Sequence, residues 1–253
     1  MITLAIRSTE FGEVTVLQSR TTGAIAYCHG DHYQSEADPN GISLAAYIHA
    51  LHALVAQTAS RRVLMIGCGG GTLGTMLTRT GQNVTIVDVD PESIALAQQY
   101  FGLPAEIDCH IGDGQAFLQR TEDVFDAVII DAFAGDRIPS HLRSADFFRL
   151  VRRRLTACGS LFLNVFVAHD LDADADRIAC AMEEAGFPAR LLDTPGRLER
   201  NVIVMGGAVG RLQGPAPLLV PAIDGDEIVR ELEQMRFRAP RSRRPPAASG
   251  RSA

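Results

Sequence analysis

Three carboxylates stand at or just past the ends of apolar runs, and that placement is where chemistry is to be sought first. Asp88 closes Val84-Thr-Ile-Val-Asp, Asp113 follows the run 107–111 inside Gly112-Asp-Gly114, and Asp131 closes Val128-Ile-Ile-Asp. An acid at the end of a buried strand loses hydration unless it is paired or used. Ahead of all three, Val63-Leu-Met-Ile runs into Gly67-Cys-Gly-Gly-Gly71. Glycines there let backbone approach a ligand, and an acid about twenty residues on can accept from both hydroxyls of a ribose. Gly67, Gly69, Gly70 and Gly71 with Asp88 therefore predict a nucleoside pocket. Asp113 is placed where it could accept from an adenine amino group, although an Asp-Gly turn explains it equally well on its own. Asp131 is the candidate to orient a nucleophile and take its proton; the competing reading is a cap on the next helix.

Residue types also exclude chemistry. The glycine loop lacks the Gly-Lys-Ser/Thr of a phosphate-binding loop. Lysine is absent from the whole chain, which rules out a pyridoxal Schiff base or any lysine nucleophile. Cys28, Cys68, Cys109, Cys158 and Cys180 are odd in number and have no CxxC spacing, so they read as reduced apolar residues. His49 and His52 lie three apart on a predicted helix with no further ligand nearby; His49 falls on the polar face and is expected to be solvated. Asp170, Asp172, Asp174 and Asp176 lack the glycine and distal glutamate of a calcium loop and predict a solvated helix start. No metal site is expected.

With 253 residues and 46% hydrophobic content the chain can bury a sizeable core. No window is long and apolar enough for a membrane span, and the N-terminus has no signal-peptide pattern, so a cytoplasmic protein without a membrane partner is expected. The formal charge of -6 conceals about -12 on the body, because residues 235–253 carry six arginines and no acid. Such a body disfavours nucleic acid as partner and attracts cationic small molecules.

The elements that must position the acids follow an alternating order. Residues 1–28 alternate around turns at Phe11-Gly and Thr22-Gly, predicting a small antiparallel unit. Leu44, Tyr47, Ile48, Leu51 and Val55 recur at helical spacing, with Ser43 near the start. Strand 63–66, helix 72–79, strand 84–88 and helix 91–100 come next, the last capped by Asp90 with Pro91 in its first turn. Strands near 107–111, 126–131 and 160–166, a helix near 144–155 and a closing pair at 189–192 and 201–205 complete a doubly wound α/β sheet. The expected division is a β appendage at 1–42, a Rossmann-like domain at 43–210, an extension with a short helix at 211–238 and a disordered Arg/Pro-rich tail at 239–253.

Over about Gly30 to Gly207 the chain resembles the spermidine synthase family of polyamine aminopropyltransferases. The residues that carry the resemblance are Asp31-His-Tyr-Gln34-Ser, the loop Gly67–Gly71, Asp88 and Asp90, Asp113-Gly114, and Asp131 with Phe147-Phe148. The resemblance implies a small N-terminal β domain on a methyltransferase-type Rossmann sheet. It further implies aminopropyl transfer from decarboxylated S-adenosylmethionine to an amine, without a metal, and a homodimer. On that footing Asp88 binds ribose, Asp113 and Gly114 meet the adenine, Asp131 is the catalytic acid and Gln34 lies on the substrate side. The departures concentrate on the amine half. Gly70 stands where the family places an Asp, Ser43 and Ala45 replace a Tyr and a Glu, Gly12 replaces a Gln, and Ala134 replaces a second Asp. Whole S-adenosylmethionine thereby becomes a second candidate donor, and a methyltransferase or a silent nucleoside-binding relative stands as the alternative.

Overall fold

The computed structural model describes residues 1–30, 32–135 and 137–241. Asp31, Asp136 and the Arg/Pro-rich tail expected to be disordered lie outside the described residues, save for 239–241.

Alternating residues build a four-stranded antiparallel sheet from β1 (Ile2–Thr9), β2 (Gly12–Gln18), β3 (Ile25–His29) and β4 (His32–Ala37), in that spatial order. It reaches Ala37, further than the predicted 1–28. A register shift between Tyr27 and Cys28 pairs them with Ser35 and Tyr33, leaving Gln34 as an extra residue in β4. Such a bulge re-aims side chains. The sheet's buried face, with Val14, Val16 and Tyr27, packs on Leu96 and Phe101.

The second sheet has eight strands in the order β12-β10-β11-β9-β8-β5-β6-β7. Its parallel part is β5 (Arg62–Ile66), β6 (Asn83–Asp88), β7 (Asp108–Ile111), β8 (Phe125–Ile130) and the long β9 (Leu155–Val167). β10 (Ala189–Asp193) and β11 (Arg200–Gly207) form the expected antiparallel pair. β12 (Arg236–Arg238) adds itself to β10, so the C-terminal extension contributes a strand to the main sheet.

Helices cover both faces, as a mostly parallel sheet requires. On one side lie α1 (Ala46–Gln57), α2 (Thr72–Arg79) and α7 (Gly225–Gln234); on the other lie α4 (Gly114–Arg120), α5 (Ala145–Arg153) and α6 (Asp174–Glu184). α3 (Pro91–Tyr100) begins as predicted: Asp90 accepts from the Glu92 N–H, and Pro91 sits in the first turn. α1 starts at Ala46, three residues past Ser43, because the Ser43 hydroxyl accepts the Ala45 N–H and Ser43 bridges to Ala37 of β4.

Two expectations about charge are corrected. His49 and His52 are fully buried. The His49 Nε2–H donates to the Ser43 carbonyl at 2.7 Å, while His52 Nε2 meets Thr80 Oγ1 at 2.8 Å. α1 is enclosed between the sheet, α2 and α7, so it has no solvated face at these positions. The start of α6 is likewise not solvated, since Asp174 and Asp176 are buried. Arg137, Arg143 and Arg177 surround Asp174, and Arg238 grips Asp176. Arg177 lies one helical turn from Asp174, but Arg137, Arg143 and Arg238 are remote in sequence from the acids they meet, so local composition could not reveal them. All five cysteines are free thiols. Among the described residues no helix is long and apolar enough to cross a membrane.

Candidate active site at the strand ends

The chain steps from β5 outward through β6 to β7, then returns to lay β8 on the other side of β5. The connections after β5 and β8 therefore diverge, and a crevice opens between their carboxyl ends. Gly67 and Asp131 flank that crevice. The Asp131 N–H donates to the Ile66 carbonyl at 2.9 Å, extending the ladder by one bond. Gly67 has φ +100°, and a Cβ on it would overlap the carbonyl oxygen of Asp131. Glycine is required there for both reasons.

The rest of the loop is closed from above by the N-terminal sheet. Gly69 and Gly71 are left-handed, at φ +52° and +67°. The Gly70 N–H donates to Ser35 Oγ of β4 at 3.0 Å. A Cβ on Gly70 would lie 2.9 Å from Ser35 Cβ and 3.0 Å from the Phe101 ring. A side chain at position 70, where the resemblance implies an Asp, would thus force Ser35 and Phe101 to shift.

Asp88 supports the loop from beside it. Its Oδ2 accepts the Cys68 N–H at 2.6 Å and its Oδ1 accepts the Asp90 N–H at 2.8 Å. Burial raises its pKa, the two backbone bonds oppose that, and nearby Asp90 adds a smaller upward push. One further lone pair on each oxygen stays available for a diol. Asp113 is the N-cap of α4: Oδ1 accepts the Ala116 N–H at 2.8 Å, and Oδ2 accepts from His141 Nε2 at 2.7 Å. Gly114, in the first turn of α4, is pressed against Ile66; a Cβ would come 2.5 Å from Ile66 Cγ2. Gln34 approaches His29 Nδ1 with its amide at 3.5 Å, and it is the neighbour Ser35, not Gln34, that bonds to the glycine loop.

Asp131 itself is held by neutral donors. Oδ1 accepts from Asn164 Nδ2 at 2.8 Å and Oδ2 accepts from the Tyr47 hydroxyl at 3.4 Å. Asn164 is level with Asp131 because its neighbour Leu163 pairs with Ile130 across β8 and β9. Burial pushes the Asp131 carboxyl upward, against the two hydrogen bonds. Burial and the adjacent acid push the Tyr47 phenol well above its ordinary range, so it remains a donor. Sequence reasoning passed over Tyr47, Asn164, His141 and Ser35. The available signals were one polar residue inside Leu161-Phe-Leu-Asn-Val-Phe-Val and one hydroxyl in the apolar stripe of α1.

An open groove of about 550 Å³ between Arg197 and the Glu227, Arg230 and Glu231 face of α7 lies beyond β9 and involves none of these residues.

Comparison with known proteins places this geometry. The methyltransferase domain family matches residues 63–159, from the glycine loop past Asp131. Over 132 residues the chain is 31% identical to a probable polyamine aminopropyl transferase of Bifidobacterium longum, covering 51% of this chain and 30% of that protein. It is 30% identical over 122 residues to an N-terminal histidine N-methyltransferase of Emericella nidulans, covering 46% of this chain and 22% of the relative. The chain thus spans less than half the length of these curated relatives. A probable spermidine synthase from Corynebacterium glutamicum superposes with a TM-score of 0.75 at 18% identity, over 93% of this chain and 90% of that one. The chain is thus similar in sequence, with divergence, to polyamine aminopropyltransferases, and it shares its fold with a probable spermidine synthase.

Proposed function

We propose that the protein is a transferase that binds an adenosyl sulfonium donor and moves an aminopropyl or other alkyl group to a small amine, as in polyamine biosynthesis. The observation that carries the reading is a contrast between two carboxylates. Asp193 is fully buried and bound by the guanidiniums of Arg200 and Arg238, each at 2.7 to 2.8 Å. Asp131 receives a phenol and an amide, and among the described residues no cation reaches it. A charge so placed lacks its counter-ion, which a cationic acceptor supplies.

In this reading Gly67, Gly69, Gly70 and Gly71 admit the nucleoside, Asp88 accepts from the ribose hydroxyls, Asp113 and Gly114 meet the adenine, and Gln34 lies on the acceptor side. The acceptor nitrogen attacks the carbon bound to sulfur; the C–S electron pair stays on sulfur, and a neutral thioether leaves. Little acid catalysis is needed, so alignment is the main contribution. Asp131 orients the amine and takes the proton that the nitrogen must shed, directly or through water.

Methyl transfer is the second reading, favoured by the sealed position at Gly70. Without a carboxylate in the loop an aminopropyl ammonium gains no partner there, whereas the carboxylate of whole S-adenosylmethionine suits a loop lined by backbone N–H groups.

Both donors are to be incubated with the protein and a pool of amines, and the products separated by mass spectrometry. Methylthioadenosine release marks aminopropyl transfer, adenosylhomocysteine marks methyl transfer, and release of neither defeats the proposal. With a productive pair in hand, Asp131→Asn keeps donor affinity and lowers kcat by roughly 10²–10⁴-fold. Turnover within a fewfold of wild type would leave Asp131 a structural residue.

A further inference from the structure

Asp131 is one end of a directed chain of hydrogen bonds that crosses three elements. Asn201, on β11, donates through Nδ2 to Asn164 Oδ1 at 2.9 Å. That bond fixes which way the Asn164 amide faces, because its carbonyl oxygen is engaged and its NH₂ must point the other way. The NH₂ then donates to Asp131 Oδ1. From the opposite side α1 brings the Tyr47 hydroxyl to Oδ2. Asn164 is almost fully buried, at 1% exposure, so its amide has no solvent to turn toward.

We propose that Tyr47 and Asn164 are positioning residues that hold the Asp131 carboxylate in one orientation toward the acceptor amine, with Asn201 setting the direction of the Asn164 amide. The inference rests on the reading of Asp131 as the acceptor-binding acid. Each oxygen has one lone pair committed to a fixed neutral donor, which stops rotation of the carboxylate. The outward lone pairs stay free, and the negative charge stays intact for a cation. A guanidinium in place of either donor would fix the group equally well but cancel that charge, as happens at Asp193. Tyr47 is the titratable group that touches Asp131, and its raised pKa keeps the hydroxyl a donor throughout the range in which the carboxyl titrates. The 3.4 Å contact is long enough to shorten when an amine draws Asp131 into full ionisation.

The test reads Asp131 directly, so it does not depend on knowing the acceptor. Protein labelled with ¹³C at the aspartate carboxyls is titrated by NMR, and Asp131→Asn identifies the signal. Tyr47→Phe keeps the ring, and Asn164→Ser keeps a small polar group at the strand position. Each is expected to raise the Asp131 midpoint by on the order of half to one pH unit, and Asn201→Ala to raise it less. Methylthioadenosine affinity, read by calorimetry, should stay within about twofold of wild type in all three. In the presence of methylthioadenosine, the weak probe 1,4-diaminobutane should bind several-fold less tightly to Tyr47→Phe and Asn164→Ser. An unmoved Asp131 midpoint in folded Tyr47→Phe and Asn164→Ser overturns the positioning role. If wild type binds no amine probe while the midpoints move, the acceptor reading of Asp131 fails and the hydrogen-bonded chain is structural alone.

Discussion

Gly67 and Asp131 meet backbone to backbone across the crevice between β5 and β8, so closely that only a glycine fits opposite the Asp131 carbonyl. The glycine loop and the candidate catalytic acid are therefore one rigid unit. A donor seated on the loop is placed relative to Asp131 by covalent geometry and two ladder bonds, Asp131 N–H to Ile66 O and Gly67 N–H to Val87 O.

Gly67→Ala tests that unit. A left-handed alanine is strained by about 1–3 kcal/mol, and the overlap with Asp131 adds to it. We expect the melting temperature to fall by several degrees and methylthioadenosine affinity to drop more than tenfold. A melt and affinity equal to wild type would show that the two backbones separate freely.

Asp88→Ala removes the acceptor beside the loop. Affinity for methylthioadenosine or adenosylhomocysteine should weaken by about 1.5–3 kcal/mol, the range for hydrogen bonds to a charged group. The Cys68 and Asp90 N–H groups also lose their acceptor, so part of the loss is loop order. Calorimetry on the folded variant measures it; unchanged affinity removes the ribose assignment.

Gly70 bears on donor choice. Decarboxylated donor should hold no large advantage over S-adenosylmethionine in competition binding. A preference of about a hundredfold, worth roughly 2.7 kcal/mol, would contradict this. Gly70→Asp, which restores the acid of the synthases, should lower the melting temperature without improving decarboxylated-donor binding, because Ser35 and Phe101 occupy the space.

His52 makes stability depend on pH. Burial and the neighbouring His49 lower its pKa from 6.5 to about 4. Between those values the unfolded chain binds a proton that the folded chain refuses, so stability falls as pH drops from about 6.5 toward about 4 and is unaffected above that window. The full effect is on the order of 3 kcal/mol. His49 acts with the same sign, its pKa also being lowered by burial. Urea midpoints across a pH series should show a shallower slope in His52→Gln; an identical slope would exclude the imidazole as the source.

The parallel core was legible because buried strands read as unbroken apolar runs punctuated by glycine and acid, as in Val63–Gly71 and Val128–Asp131. Asp90 and Pro91 marked a helix start to the residue. What stayed hidden depended on contacts between distant segments. His49 reads as solvated until α2 and α7 are laid against α1, and Asp176 reads as solvated until Arg238 arrives from sixty-two residues away. The acids of the site announced themselves; their neutral partners Tyr47 and Asn164 did not, since a tyrosine in an apolar stripe and an asparagine in a strand have many ordinary uses.

The short strand β12 has a consequence at the far edge of the sheet. Arg236–Arg238 covers the outer side of β10, whose residues Ala189–Asp193 include the buried pair Leu191 and Leu192. Arg238 supplies, in the same three residues, one of the two cations that neutralise Asp193. A chain cut before Arg236 would lose both at once. It would present an unpaired apolar β edge beside a half-compensated buried charge, the combination that invites strand-to-strand association between molecules. β12 thus closes this edge of the sheet through its backbone as much as through the charge of Arg238.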